Sequence, residues 1–379
     1  MAADDLTRPL GLTRARTTNR GRLYGLVAGT AAVAVMAAAA YIVGATPAPT
    51  VTATINVPPP AAPNLADRTA AIAPAADPNE PPITGLQEIT TSGGVVVPSS
   101  DRVVIHDPSE PLPITLAALP DEALVEQGAY GPLPRVGADG LRPLQAYARP
   151  YTDRGDALVA IVVGGIGIDP ASSERAIDDL PGAVTLAFAP YGEDLDAWLR
   201  SARTAGHEIL LQIPLEPYSY PSIDPGPHTL TTDSTADENL DRLHWLMSRI
   251  TTYVGVVNYM GARFTSEPPA LAPILEDVGR RGLVYVDDGS SPRSQASVAA
   301  SGRTPFVKAD IVLDADLSSA AIDARLESLL ETARERGYAV ATATAFPVTI
   351  DRIAAFARVA ADRGVMLVPV SALAGSAPR

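Results

Sequence analysis

The stretch "ALVAIVVGGIGIDP" at 157–170 runs a β-branched apolar segment into Gly164-Gly165-Ile166-Gly167. An apolar run of this length and composition is expected to form a buried strand. The glycines at its end raise the question of a phosphate-cradling turn. The residues that follow argue against one. A G-x-G-x-x-G pattern from Gly165 needs glycine at 170, where the chain has Pro170. The next apolar run, "AVTLAFA" (183–189), supplies no acidic residue for a ribose, and no G-x-x-x-x-G-K-[ST] occurs.

Further runs of the same kind recur along the chain: "HEILLQI" (207–213), "YVGVVN" (253–258), "GLVYVD" (282–287), "ADIVLD" (309–314), "YAVATAT" (338–344) and "GVMLVPV" (364–370). Helical patterns separate most of them. "ADENLDRLHWLMSRI" (236–250) places Leu240, Leu243, Met247 and Ile250 on one face, and "SAAIDARLESLLETARERG" (319–337) ends on glycine. Apolar strands alternating with helices predict a parallel sheet buried on both faces. Eight of them over 154–375 predict a (β/α) barrel, with an open doubly wound sheet as the alternative.

The chain of 379 residues has a formal net charge of −14, which argues against nucleic acid or anionic lipid as the main partner. It contains no cysteine, so thiolate chemistry and Cys-ligated zinc are excluded. Residues 1–22 carry Arg8, Arg14, Arg16, Arg20 and Arg22, and 23–45 run without a charge. About 20 apolar residues span a bilayer, and flanking arginines keep the N-terminus inside. The expectation is a cytoplasmic basic tail (1–22), an inner-membrane helix (23–45) and an exported C-terminal domain; a cleaved signal peptide is the alternative. Residues 46–150 hold 19 of the 36 prolines. This composition predicts an unpacked spacer over 46–130, followed by a strap at 131–153 that packs on the barrel.

Function in such folds gathers where the strands end at their C-termini. The loops there carry Gly164-Gly165, "APYGED" (189–194), "QIPLEPYSYP" (212–221), "NYMGARFT" (258–265), "DDGSSPRS" (287–294), Asp314 and "AFPVT" (345–349). No G-x-S-x-G marks a serine hydrolase. His207 precedes a strand and His244 sits mid-helix, which leaves His228 as the one histidine of the region expected on a loop.

In this order the loops resemble the divergent polysaccharide deacetylases, relatives of the NodB-type carbohydrate esterases, over about 155–375. The resemblance implies a distorted (β/α) barrel with a metal-dependent N- or O-deacetylase site at the strand ends, with a divalent metal such as zinc. It also shows what has changed. The family's Asp-Asp pair falls on Gly164 and Gly165, the histidine of H-x-P-M-E-P on Gln212, the histidine of N-H-M-G on Tyr259, and that of the late G-H-P loop on Phe346. Pro214, Glu216, Asn258, Met260, Gly261, Asp287 and Pro347 keep the surrounding frame.

A zinc site needs about three N, S or O protein ligands. With these positions vacated, no residue is assigned a catalytic role and no cofactor is expected. The weak candidates for a metal are Glu216, Asp287 and Asp314, with Asp288 as a further carboxylate that could hold Mg²⁺ or Ca²⁺. Tyr191, Tyr218, Tyr220, Tyr259 and Phe346 are expected to face one mouth, where aromatic faces suit sugar rings. The candidate ligand-binding set is Tyr191, Glu216, Asn258, Tyr259, Arg263, Asp287 and Asp288. The expectation is therefore a membrane-anchored periplasmic protein of cell-envelope carbohydrate metabolism. It has lost hydrolysis and binds or scaffolds cell-wall or exported polysaccharide. An active deacetylase with a rebuilt carboxylate site and a pure protein–protein module are the alternatives.

Overall fold

The computed structural model describes residues 95–99, 102–106, 114–300 and 302–374. The basic tail, the apolar span at 23–45 and most of the spacer lie outside them. Among the described residues no helix is long and apolar enough to cross a membrane. Within the spacer, Val95–Ser99 pairs antiparallel with Arg102–His106.

Nine parallel strands form the main sheet: β1 (Ala157–Ile166), β2 (Thr185–Phe188), β3 (Ile209–Leu215), β4 (Gly255–Met260), β5 (Val284–Asp287), β6 (Phe306–Lys308), β7 (Ile311–Val312), β8 (Tyr338–Thr344) and β9 (Val365–Leu367). The path runs β6-β5-β4-β3-β2-β1-β8-β7, and β9 pairs with the start of β1. The two ends of this path are consecutive in sequence. Ala309 donates its N–H to Asp287 O and Asp310 donates to Val340 O, so 306–312 bridges β5 to β8. The result is an α/β half-barrel of parallel strands. The run expected as a strand at 309–314 forms only the short β7, and β6 precedes it as a separate strand, because the chain changes partner at 309–310.

Side chains along β1 alternate between two cores, as the period of two in a strand requires. Val159, Ile161 and Val163 pack outward against helices, while Ala160 and Val162 face the interior with Ala187, Val257, Val286 and Val340. The outer layer contains α1 (Pro170–Asp179), α2 (Leu195–Thr204), α3 (Ala236–Met247), α4 (Pro268–Arg280), α5 (Ala296–Ala300), α6 (Ser319–Arg336) and α7 (Pro347–Val359). The helix α3 opens with a reciprocal Thr235–Glu238 capping box. The helix α6 stops at Gly337, whose φ of 84° suits glycine.

The strap begins earlier than the proline content predicts. Leu124 is buried with Tyr147 in the interior core, and Asp121 donates its N–H to the Tyr147 hydroxyl (3.0 Å). Val125–Gln127 pairs with Pro132–Pro134. Burial of a leucine is worth about 1.5–3 kcal/mol, enough to hold part of a proline-rich chain down. Together with Val370 and Leu373, these residues plug the end of the half-barrel where the strands begin.

Candidate functional site

Gly164 and Gly165 of the opening stretch lie inside β1, where its pairing with β2 shifts register between Val163 and Ile166, and Gly167 follows it. Gly165 adopts a φ of 84°, which a residue with a side chain rarely takes. Gln212 on β3 reaches across to this irregularity, and Gly165 donates its N–H to Gln212 Oε1 (2.8 Å). A Cβ on Gly164 would stand 2.6 Å from Gln212 Nε2. The glutamine amide thus fills the volume that a side chain at 164 would need.

Two cavities open on either side of Gln212. The larger, ≈ 330 Å³, is mostly apolar and takes in Ile168, Pro190, Tyr191, Pro214, Tyr259 and Phe346. The smaller, ≈ 220 Å³, is more polar and includes Asn258, Asp288, Ser290, Asp314 and Thr342. Gln212, Tyr259 and Thr344 line both. Of the five aromatic residues expected at one mouth, Tyr191, Tyr259 and Phe346 line the larger cavity. Tyr218 and Tyr220 do not, and Tyr218 donates its hydroxyl proton to Ser266 Oγ instead.

Tyr191 is held from behind. Its hydroxyl accepts the His228 N–H (3.2 Å), its ring lies 6.1 Å from Trp245, and His228 stacks on Trp245 at 3.7 Å. His228 therefore buttresses the wall. His207 is buried, with its ring nitrogens at Val184 O and Ile177 O, and His244 contacts Asp277. All three histidines of the region stand away from the two cavities.

The carboxylates divide by the direction they face. Glu216 is buried (1% exposed) and saturated: Arg263 Nη1 donates to Oε1 (2.7 Å), and the Thr232 N–H and hydroxyl donate to Oε2. It clamps the loop after β3 to the loop after β4. Asp287 is equally committed, with Gly289 N–H on Oδ1 and the Ser294 hydroxyl on Oδ2. Asn258 ties β4 to the next loop, its Oδ1 accepting the Asp288 N–H (2.9 Å) and its Nδ2 donating to Met260 O.

Asp288 and Asp314 are the pair that reaches the smaller cavity. Burial raises the pKa of both, against hydrogen bonds that lower it: Ser290 at Asp288, Thr344 and Thr349 at Asp314. Along β5 Tyr285 packs in the outer core and Val286 in the interior one, and Asp288, the residue just past the strand, lines the interior cavity. Among the weak metal candidates the structure does not bring Glu216, Asp287 and Asp314 together. Among the described residues no three His, Asp or Glu side chains gather closely enough to hold a metal ion.

The arrangement can be compared with known proteins. Residues 161–374 match the model of the divergent polysaccharide deacetylases. The chain belongs to that family. YibQ of Escherichia coli K12 is 25% identical over 193 residues, covering 51% of this chain and 60% of YibQ, so the chain spans three fifths of that relative. A protein of Haemophilus influenzae is 24% identical over 193 residues, 51% of this chain and 68% of its own. Among solved structures, ATU2773 of Agrobacterium tumefaciens C58 is 48% identical with a TM-score of 0.63, covering 64% of this chain and 99% of that one.

For a divergent polysaccharide deacetylase, the donor set here does not fit zinc. A neutral amide, two glycines and a phenyl ring stand where the resemblance implies carboxylates and imidazoles, and zinc is bound through Cys, His and carboxylates. A mouth walled by aromatics beside a more polar recess can still hold a ligand that has an apolar face and several hydroxyls.

Proposed function

We propose that this domain is a glycan-binding module of cell-envelope carbohydrate metabolism that has given up hydrolysis, carried outside the cytoplasmic membrane on the N-terminal apolar segment. The observation that supports this most is the Gln212 amide, which fills the space beside Gly164 and is fixed there by the Gly165 N–H. The same amide joins an aromatic cavity to a more polar one. Sugar rings present apolar C–H faces to aromatic side chains and hydroxyls to amides and carboxylates, and both kinds of surface meet at Tyr259.

The test is retention of the full chain on purified peptidoglycan and on exported polysaccharide, with and without chelator. Chelator-resistant retention that weakens about tenfold in Tyr259→Ala or Phe346→Ala is expected, the loss of one good contact. A second reading rests on Asp288 and Asp314 lining one cavity: a deacetylase rebuilt on carboxylates. Stoichiometric divalent metal that is lost in Asp288→Ala, together with acetate release from acetylated sugars, would establish that reading and overturn the first.

A further inference from the structure

A third cavity lies at the opposite end of the half-barrel, between the strap, the turn before β6 and the C-terminal turn. It is a groove of ≈ 880 Å³, and three arginines line it: Arg142, Arg149 and Arg303. No carboxylate lines it, although the chain carries 43 Asp and Glu against 29 Lys and Arg. The mouth has the reverse character, since Asp169, Asp288 and Asp314 line its cavities and no lysine or arginine does.

Most arginines of the described region donate to a carboxylate or a carbonyl, as Arg175, Arg263, Arg281, Arg336, Arg352 and Arg363 do. The guanidinium groups of Arg142 and Arg303 have no such partner among the described residues. Arg149 is seated on purpose-made space: a Cβ on Gly182 or Gly206 would stand 2.8 or 2.6 Å from its Nη1, which donates to Gly206 O (2.7 Å). Among the described residues the guanidinium has no second acceptor, and burial lowers its pKa although the nearby Glu208 carboxylate, which accepts the Arg149 backbone N–H (3.2 Å), raises it; a bound anion would offset what remains of that cost.

We infer that this groove binds a phosphate-bearing group, with Arg142, Arg149 and Arg303 as its ligands. Guanidinium forks match phosphate oxygens in bidentate pairs. Three of them around one groove exceed what a single carboxylate can engage, whereas a phosphate offers more oxygens and more charge. Apolar side chains on the same wall, Leu144 and Phe306 among them, give room for the carbon skeleton that carries the phosphate. The phosphate could belong to a soluble ester or to the headgroup of an anionic lipid; both present the same oxygens. Salt must weaken the binding in either case, because the attraction is short-ranged on a chain whose net charge repels anions.

The test titrates the full chain, in nonionic detergent, with inorganic pyrophosphate and with a short-chain, water-soluble phosphatidylglycerol, following the heat of binding. Saturable binding of either probe is expected, weakened about tenfold for each guanidinium removed in Arg142→Gln and Arg303→Gln. Arg200→Gln and Arg358→Gln, at exposed arginines outside the groove, leave it unchanged. Binding of pyrophosphate alone assigns a soluble phosphate, and binding of the lipid alone assigns a headgroup. Arg303→Gln by itself serves if the Arg142 variant fails to fold. No binding of either probe, or binding that survives both arginine substitutions, overturns the proposal.

Discussion

Gln212 on β3 and Gly164 on β1 form a complementary pair across the intervening β2: the amide of one occupies the side-chain volume the other lacks, with Nε2 2.6 Å from where a Cβ on Gly164 would sit. The pair therefore constrains substitution jointly. Gly164→Ala alone is expected to destabilise the domain by about 1–3 kcal/mol, the usual cost of overpacking a filled interior. Gly164→Ala with Gln212→Ala recovers part of that loss, because the smaller residue at 212 vacates the space. Urea unfolding of both single variants and the double variant checks this as a cycle. Strict additivity would show that the two side chains do not compete.

Glu216 and Arg263 make a different kind of pair, a buried carboxylate held by a half-exposed guanidinium at 2.7 Å. Arg263→Ala leaves that carboxylate buried with only Thr232 to satisfy it. Removing one partner of a buried pair costs about 3–5 kcal/mol, and the partial exposure of Arg263 places this case at or below the lower end. Chemical denaturation should show the loss with or without divalent metal. A loss that appears only when metal is supplied would instead make Glu216 a ligand.

Much of this was legible in the sequence, for physical reasons that differ by element. All eight apolar runs form strands, because a strand buried on both faces needs an unbroken apolar run. That Gly164, Gly165, Gln212 and Phe346 carry no carboxylate or imidazole is visible in the letters. Their geometry is not: that Gln212 fills the space beside Gly164 depends on β1 and β3 standing on either side of β2, which no local pattern shows. Asp287 and Asp288 look equivalent in "VDDGS", yet Asp288, the residue just past β5, lines the cavity and Asp287 does not. The saturation of Glu216 by Thr232 and Arg263 was hidden, since neither neighbour is local. Proline content hides the start of the strap, because the burial of Leu124 depends on Tyr147 more than 20 residues on.

Asp288 gives a pH-dependent prediction with a definite sign. Burial raises its pKa in the folded state, so the folded protein keeps a proton that the unfolded chain has released. Its contribution to stability therefore falls as pH rises from the ordinary carboxylate range through the raised value, and is flat above it. Asp288→Asn removes the charge, and Asn Oδ1 can still accept from Ser290. The variant is expected to melt higher than the parent at about pH 8, with the gap closing towards about pH 4. Melting curves across that range decide it; a gap that widens on acidification would reverse the assignment.

Asp277 on α4 carries the opposite sign. Its carboxylate is buried (1% exposed), and burial alone would raise its pKa. The bonds from His244 Nε2 (3.0 Å) and Arg281 Nε (2.9 Å), with Arg280 beside them, outweigh that and hold it well below the usual carboxylate range. Arg281 also donates to Glu126 Oε1 (2.7 Å) and Pro134 O (2.9 Å), so the same cluster fastens the strap to the body. The stability this carboxylate provides is present above the unfolded-state value and is lost as pH falls through that value towards the folded one. Asp277→Asn is expected to cost about 3 kcal/mol near neutral pH, as for a broken buried ion pair, and progressively less below about pH 4. Urea midpoints at both ends of that range test the assignment, and a cost independent of pH would mean that Asp277 contributes by packing and not by charge.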